Sequence, residues 1–237
     1  MGLKIALLGY GKMGKAIEGF AVKRGHTIVA KIDLNNANDI DQIKAADVAI
    51  EFSQPDAVVH NLQACFDRNV PVVCGTTGWL SKSAQVEAYC KERNGAFFYA
   101  SNYSLGVNIF FKVSEFLARI MNSYPAYDIT IDEIHHTQKK DAPSGTAISL
   151  ADGVLQHVDR KKKWTMDSPA PDEIQITSSR VDPTPGTHTV KYASVIDDIE
   201  IKHTAHSRDG FALGAVMVAE WLAGKKGIYT MNDFLKF

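Results

Sequence analysis

Residues 135–147 read HHTQKKDAPSGTA, a stretch that concentrates groups able to move protons and bind anions. His135 and His136 follow the strand-like YDITIDEIHH, so alternation along a strand sends them to opposite sides of a sheet. That argues against both serving one metal, as does the lack of a third ligand at a familiar spacing, and no metal is expected. Lys139 falls just beyond, in a loop. Pro143 restricts the backbone and Ser144 is a good N-cap, so a helix is expected to begin at Gly145–Thr146. The N–H groups of Gly145 and Thr146, with the Thr146 hydroxyl, would then form a carboxylate-sized cradle. A histidine, a lysine and such a cradle describe an acid/base site for an anionic substrate. The plainer reading is a surface loop with a capped helix, and the clustering speaks against it.

A second chemistry-bearing stretch is GYGKMG, where Gly9, Gly11 and Gly14 enclose Tyr10, Lys12 and Met13 directly after the opening strand. Glycines at these spacings allow a tight turn, a close approach of backbone to a pyrophosphate, and close packing of helix on sheet. The helix N-terminus offers its unpaired N–H groups to the phosphates. Asp33 ends the next strand, about twenty residues on, where a carboxylate accepts hydrogen bonds from ribose hydroxyls. A nicotinamide dinucleotide site follows. NADH is expected to be preferred, because Asp33 would repel a 2′-phosphate, and Lys12 could partly offset this and let NADPH be accepted. Two further loops at strand ends, CGTTGW with Gly75, Thr76 and Thr77, and ASNYSLGVN with Ala100, Ser101, Asn102 and Tyr103, suit a nicotinamide and its ribose. Either could be an ordinary helix-capping turn. Phe52, in EFSQPD, is placed either against the nicotinamide or in the core.

The elements that must position these residues come in two textures. Up to about residue 100, β-branched runs (KIALL, TIVAKID, DVAIEF, VPVVCG, AFFYAS) alternate with helical patterns over 12–24, 55–68 and 81–93, the rhythm of a parallel sheet wrapped by helices. From about 105 a helix to 122 precedes YDITIDEIHH and a helix over 144–157. Then come a polar segment, DRKKKWTMDSPAPDE, and three strands in succession, IQITSSRV, THTVKYAS and DIEIKHTA, before a helix over 209–223. Consecutive strands without helices between them predict an antiparallel or mixed sheet. The strands over about 172–205 lack helical cover for both faces, so one face is expected to meet another subunit. Arg160–Lys163 reads as a solvated face, and His26, His60 and His157 as surface or packing residues.

Composition removes other classes. With 26 basic and 27 acidic residues in 237, the net charge of -1 gives no field for nucleic acid. The longest apolar run, FALGAVMVAEWLAG, is too short to cross a bilayer. The N-terminus enters LKIALLGYG without a charged leader, and Cys65, Cys74 and Cys90 lack metal spacing. A cytoplasmic protein with reduced thiols, acting as small apolar filling, is expected.

HHTQKKDAPSGTA resembles the signature of the 4-hydroxy-tetrahydrodipicolinate reductase (dihydrodipicolinate reductase) family of bacterial diaminopimelate and lysine biosynthesis. The order of GYGKMG, EFSQP, CGTTGW, ASNYSLGVN and AHSRDGFALGAV…AEWLAGKKGIYTMNDFL fits it along nearly the whole chain. The resemblance implies an N-terminal Rossmann domain over 1–104, rejoined by C-terminal helices over about 209–237, and a mixed-sheet α/β substrate domain over 105–208 through which homotetramers assemble. It implies that His135 donates and accepts a proton, that Lys139 donates one, that His136 touches substrate, and that Gly145–Thr146 hold its carboxylate. Gly75–Thr77 and Ala100–Tyr103 match segments near the nicotinamide. The implied reaction passes a hydride to C4 of an α,β-unsaturated cyclic imine, formed when the substrate loses water, and a proton to C3 of the resulting enamine. The glycine loop is one residue shorter than the family's common form. The segment after Asp33 is short as well and lacks the arginine that some members place beside the ribose. Two alternatives remain: another two-domain NAD(P)-dependent oxidoreductase, or a non-catalytic NADH-sensing oligomer.

Overall fold

The computed structural model describes residues 2–237, and the chain divides into two compact units, 1–105 with 209–237, and 106–208. In chain order the first unit begins with β1 (Lys4–Leu8), α1 (Lys12–Lys23), β2 (Thr27–Ile32), β3 (Val48–Glu51), α2 (Pro55–Asp67), β4 (Val72–Cys74), α3 (Ser83–Glu92) and β5 (Ala96–Tyr99). Then follow α4 (Leu105–Met121), β6 (Asp128–His135), α5 (Gly145–Leu155), β7 (Lys163–Thr165), β8 (Glu173–Arg180), β9 (Gly186–Ala193) and β10 (Asp198–Ala205). The chain ends with α6 (Asp209–Leu222), β11 (Gly227–Tyr229) and α7 (Met231–Leu235).

The first unit's sheet has the order β11-β5-β4-β3-β1-β2 and every pairing in it is parallel. Its strands are apolar on both sides, as burial by helices on both faces requires. Ile5, Leu7, Ile50 and Phe98 pack with Ala215, Val216, Val218 and Leu222 of α6 on one face. Ala6, Leu8, Ala49 and Val72 pack with Val58, Leu62 and Cys65 of α2 and Val86 of α3 on the other. The strand order reverses between β1 and β3, and the carboxyl ends there open the crevice where such sheets take ligands. All three cysteines are free and buried.

The second unit's sheet is mixed, in the order β10-β9-β6-β8-β7: β6 runs parallel to β8 and antiparallel to β9. Each strand carries an alternating pattern whose core face turns polar at one end. On β6 the sequence on that face is Ile129, Ile131, Glu133, His135; on β8 it is Ile174, Ile176, Ser178, Arg180; on β9, read backwards, Tyr192, Val190, His188, Gly186. The register aligns Ile131 with Ile176 and Val190, and Glu133 with Ser178 and His188. The apolar ends pack under α4 and α5, through Ala118, Met121, Leu150 and Val154. The polar ends make one patch.

The basic run at 160–163 is a solvated face only in part: Lys162 and Lys163 are exposed, and the first two residues turn inward. Lys161 is buried, donating to the carbonyls of Pro171 and Glu173 and pairing with Asp128 at 2.6 Å. Arg160 donates to the carbonyls of Met121 and Tyr127. Arg160 thus satisfies carbonyls at the end of α4 and in the turn after it, Lys161 satisfies those around the start of β8, and the same run supplies β7, a strand inside what reads as a polar segment. His26 is a structural bridge, accepting from the Leu3 amide through Nδ1 and contacting Glu220 at 2.7 Å through Nε2.

Candidate active site

The glycine turn is shaped by contacts that only glycine allows. Gly9 has φ +93°, and a Cβ there would lie 2.2 Å from the Phe52 carbonyl; a Cβ on Gly14 would lie 2.3 Å from the Gly9 carbonyl. Gly11, the residue before α1, has nothing within 4 Å of such an atom and faces open space. A cavity of about 330 Å³ begins here, lined by Gly9, Tyr10, Gly11, Asp33, Phe52 and Gln54 among others. Asp33 Oδ1 accepts from the Asn35 amide at 2.8 Å, and among the described residues Oδ2 has no hydrogen-bond partner. Lys31 is already committed: it pairs with Glu18 at 2.7 Å and lies over the Tyr10 ring, whose hydroxyl also donates to Glu18. Lys12 is exposed on the first turn of α1, and Met13 packs against the core.

The remaining residues of this half converge on the ends of β3, β4 and β5. Phe52 sits 5.4 Å from Tyr103, and a Cβ on Gly75 would come within 2.1 Å of its ring, so Phe52 both lines the cavity and packs inward. The Ser53 amide donates to Thr76 Oγ1 at 2.9 Å, and Trp79 donates to the Thr76 carbonyl at 2.8 Å. Thr77 and Ser101 are exposed, Ala100 is buried, and the Asn102 side chain accepts from the Ser104 amide. Tyr103 is fully buried and donates to the Cys74 carbonyl at 2.7 Å, so its side chain braces the loop from within. Glu51 is also fully buried, with Ser53, Asn61 and Cys74 as donors.

In the second unit His135 and His136 meet different partners. His135 is buried, 3.5 Å from Glu133 Oε2 through Nδ1 and edge-on to His188 with ring centroids 5.0 Å apart. His136 is half-buried, and its Nε2 lies 2.9 Å from Arg208. Lys139 pairs with Asp141, and Arg180 ties down that loop through the carbonyls of Lys139 and Asp141. Ser144 is the N-cap of α5, accepting from the Ala147 amide, a cap worth about 1 kcal/mol. Gly145 is exposed and Thr146 half-exposed on the first turn, with their N–H groups ahead of the helix's own hydrogen bonds.

Glu133, Ser178, Arg180, His188 and Arg208 are absent from the residues singled out in the sequence. The signal for Glu133 is phase: it continues the Ile129–Ile131 alternation that faces the core and ends on His135. The Glu133 carboxylate accepts from the Ser144 amide at 3.1 Å to each oxygen, from Ser178 at 2.8 Å, and faces Arg180 at 3.4 Å. Burial favours its neutral form, yet these donors and His188 hold it far below the usual carboxylate range. Burial lowers His135 as well, to about 4, only partly opposed by the Glu133 charge. Glu133, His135 and His188 come close enough to surround a cation. Arg180 faces that carboxylate and Ser144 and Ser178 donate to it, so its oxygens are already engaged within the protein.

The family model "Dihydrodipicolinate reductase, N-terminus" matches residues 3–103 and "Dihydrodipicolinate reductase, C-terminus" matches 106–235. The chain belongs to the dihydrodipicolinate reductase family. It is 51% identical over 98% of both chains to the 4-hydroxy-tetrahydrodipicolinate reductase of Christiangramia forsetii. It is 34% identical to that of Archaeoglobus fulgidus, over 99% of this chain and 100% of the other. The dipicolinate-bound dihydrodipicolinate reductase of Paenisporosarcina sp. TG-14 shares the fold, with a TM-score of 0.80 at 21% identity, covering 97% of this chain and 98% of that one.

Proposed function

We infer that the chain is an NAD(P)H-dependent 4-hydroxy-tetrahydrodipicolinate reductase, forming tetrahydrodipicolinate for diaminopimelate and lysine synthesis. The observation that carries this is the 51% identity to a reductase of that name over 98% of both chains. The site agrees with it: one unit holds a glycine turn and an acidic ribose position, the other a histidine–lysine pair beside a helix N-terminus.

The residues present fit a dinucleotide. Gly9 and Gly14 let backbone come close to a pyrophosphate, the first turn of α1 offers N–H groups, and the open oxygen of Asp33 suits ribose hydroxyls. When bound, the reduced nicotinamide supplies a hydride to C4 of the unsaturated cyclic imine. Gly75–Thr77 and Ala100–Tyr103 frame the nicotinamide end, and Phe52 walls it. Gly145 and Thr146 take one substrate carboxylate through N–H groups and a hydroxyl, and His136, backed by Arg208, faces the substrate. Lys139 donates the proton that the C3 carbon of the enamine requires. His135, neutral at physiological pH, accepts and returns protons. NADH is the preferred cofactor, and the units serve as dinucleotide-binding and substrate-binding domains. In this reading the protein is a cytoplasmic homotetramer whose subunits meet through the second unit, where Val195 and Ile196 stand fully out at the β9–β10 turn.

The deciding experiment is NADH oxidation with enzymatically generated 4-hydroxy-tetrahydrodipicolinate. Turnover is expected. NADH binding without substrate-dependent oxidation would instead support a sensing role.

A further inference from the structure

We propose that Glu133 is a positioning residue that holds the proton-exchanging histidine and the substrate cradle to one another. The proposal rests on the reductase reading for its kinetic consequences, but not for its geometry.

Glu133 is the least exposed polar residue of the second unit, at 0%, on the central strand of its sheet. A carboxylate in that place costs stability unless its lone pairs are filled, and an apolar residue would pack there more cheaply. Its partners show what the charge connects. Both oxygens accept from the amide of Ser144, the residue that caps α5 and sets the direction in which Gly145 and Thr146 point. Ser144 Oγ reaches His188 Nε2 at 3.1 Å, and His188 lies across the sheet from Glu133, 3.6 Å from Oε2. The same oxygen also faces His135 Nδ1, at 3.5 Å, which has no hydrogen-bond partner. A carboxylate facing Nδ1 favours the tautomer with the proton there, which frees Nε2, beside Gly186, to exchange protons with a ligand. In the serine-protease triad a carboxylate hydrogen-bonded to Nδ1 fixes tautomer and orientation; here the carboxylate stands 3.5 Å from that atom and acts through its charge.

The groups facing His135 are Glu133, His188, Lys139 and Arg180, and Glu133 alone among them favours the protonated ring. Loss of its charge must therefore lower the His135 titration midpoint further.

The test uses the full-length protein. In the wild type, ¹⁵N NMR of the imidazoles should find His135 as the Nδ1–H tautomer at neutral pH; a predominantly Nε2–H ring overturns the proposal. Because this is read without substrate or turnover, it stands or falls apart from the reductase assay. In Glu133→Gln, the His135 midpoint should move down, and kcat should fall about 10- to 100-fold, a share of what acid/base groups contribute. KM for the dicarboxylate should rise, and NADH affinity should stay within about twofold, since dinucleotide contacts lie in the other unit. An unshifted His135 midpoint with kcat within twofold of wild type overturns it. If Glu133→Gln does not fold, Ser178→Ala, which removes one donor and keeps the charge, should leave both tautomer and midpoint unchanged; a switched tautomer there overturns it.

Discussion

The Lys139 ammonium rests on the carboxylate of Asp141, with Nζ 2.9 Å from Oδ1 and 2.8 Å from Oδ2. The lysine holds the Asp141 carboxyl below its usual range, and the loop between them is pinned by Arg180. This partner is exposed and belongs to the same loop, so it shields the ammonium from solvent very little. If Lys139 donates the proton, Lys139→Ala should lower kcat by roughly 10²–10⁴-fold while NADH binding, followed by fluorescence, hardly changes. Near wild-type turnover with lost NADH affinity would assign the lysine to the cofactor.

Thr146 should behave differently. Its hydroxyl stands on the first turn of α5, and Thr146→Val removes one charge-assisted hydrogen bond, worth roughly 1.5–3 kcal/mol. The expected result is a raised KM for substrate with kcat little altered, measured by steady-state kinetics. A fall confined to kcat would mean that the hydroxyl acts only in the transition state.

Cofactor choice follows from charge. Asp33 offers a free carboxylate oxygen, and the neighbouring Lys31 is neutralised by Glu18. A 2′-phosphate placed there meets a like charge without an unengaged cation on β2, so kcat/KM should favour NADH at a fixed salt concentration. Equal or better efficiency with NADPH would refute this. Asp33→Ser should narrow the ratio.

Stability should fall in acid in two stages. His135 is held at about 4 in the fold against an ordinary 6.5, so between these values the unfolded chain binds more protons and stability declines as pH drops. Glu133, held far below its ordinary 4.5, adds a second loss once the unfolded carboxylate protonates. Thermal unfolding followed from pH 7.5 to 4 should show the decline, and His135→Gln should remove its upper part. An identical slope in the variant would show that His135 is not the source.

Assembly is the fifth expectation. Ile109, Val113, Phe116 and Ile120 lie exposed along one face of α4, and Val195, Ile196 and Ile199 at one edge of the second sheet. Contiguous exposed apolar patches are typical of interaction sites. Light scattering at micromolar concentration should give a tetramer mass, and a monomer would refute it.

The parallel sheet was legible because its strands are continuous apolar runs between helix-period segments, and the helix start at Gly145 because Ser144 caps it. The short strands β7 and β11 were not, since three residues carry no period; they exist by pairing with β8 and β5. At the site, local grammar named His135, Lys139 and the cradle. It could not name His188 or Ser178, whose nearness to Glu133 depends on strand register between segments some 45 and more residues away. Arg160 and Lys161 misled for a related reason, because most of their acceptors are backbone carbonyls with no signature in sequence.

Helix α6 lies in the core of the first sheet with Ile5, Leu7 and Ile50, and Gly214 passes so near the Tyr103 carbonyl that a Cβ would stand 1.8 Å from it. On the ribosome, therefore, the first hundred residues emerge without the helix that seals one face of their sheet. The segment 106–208 is synthesised in full, and free to fold as a unit, before that helix appears. The first unit is begun first and finished last, and in the interval its unsealed sheet is the surface that a chaperone would meet.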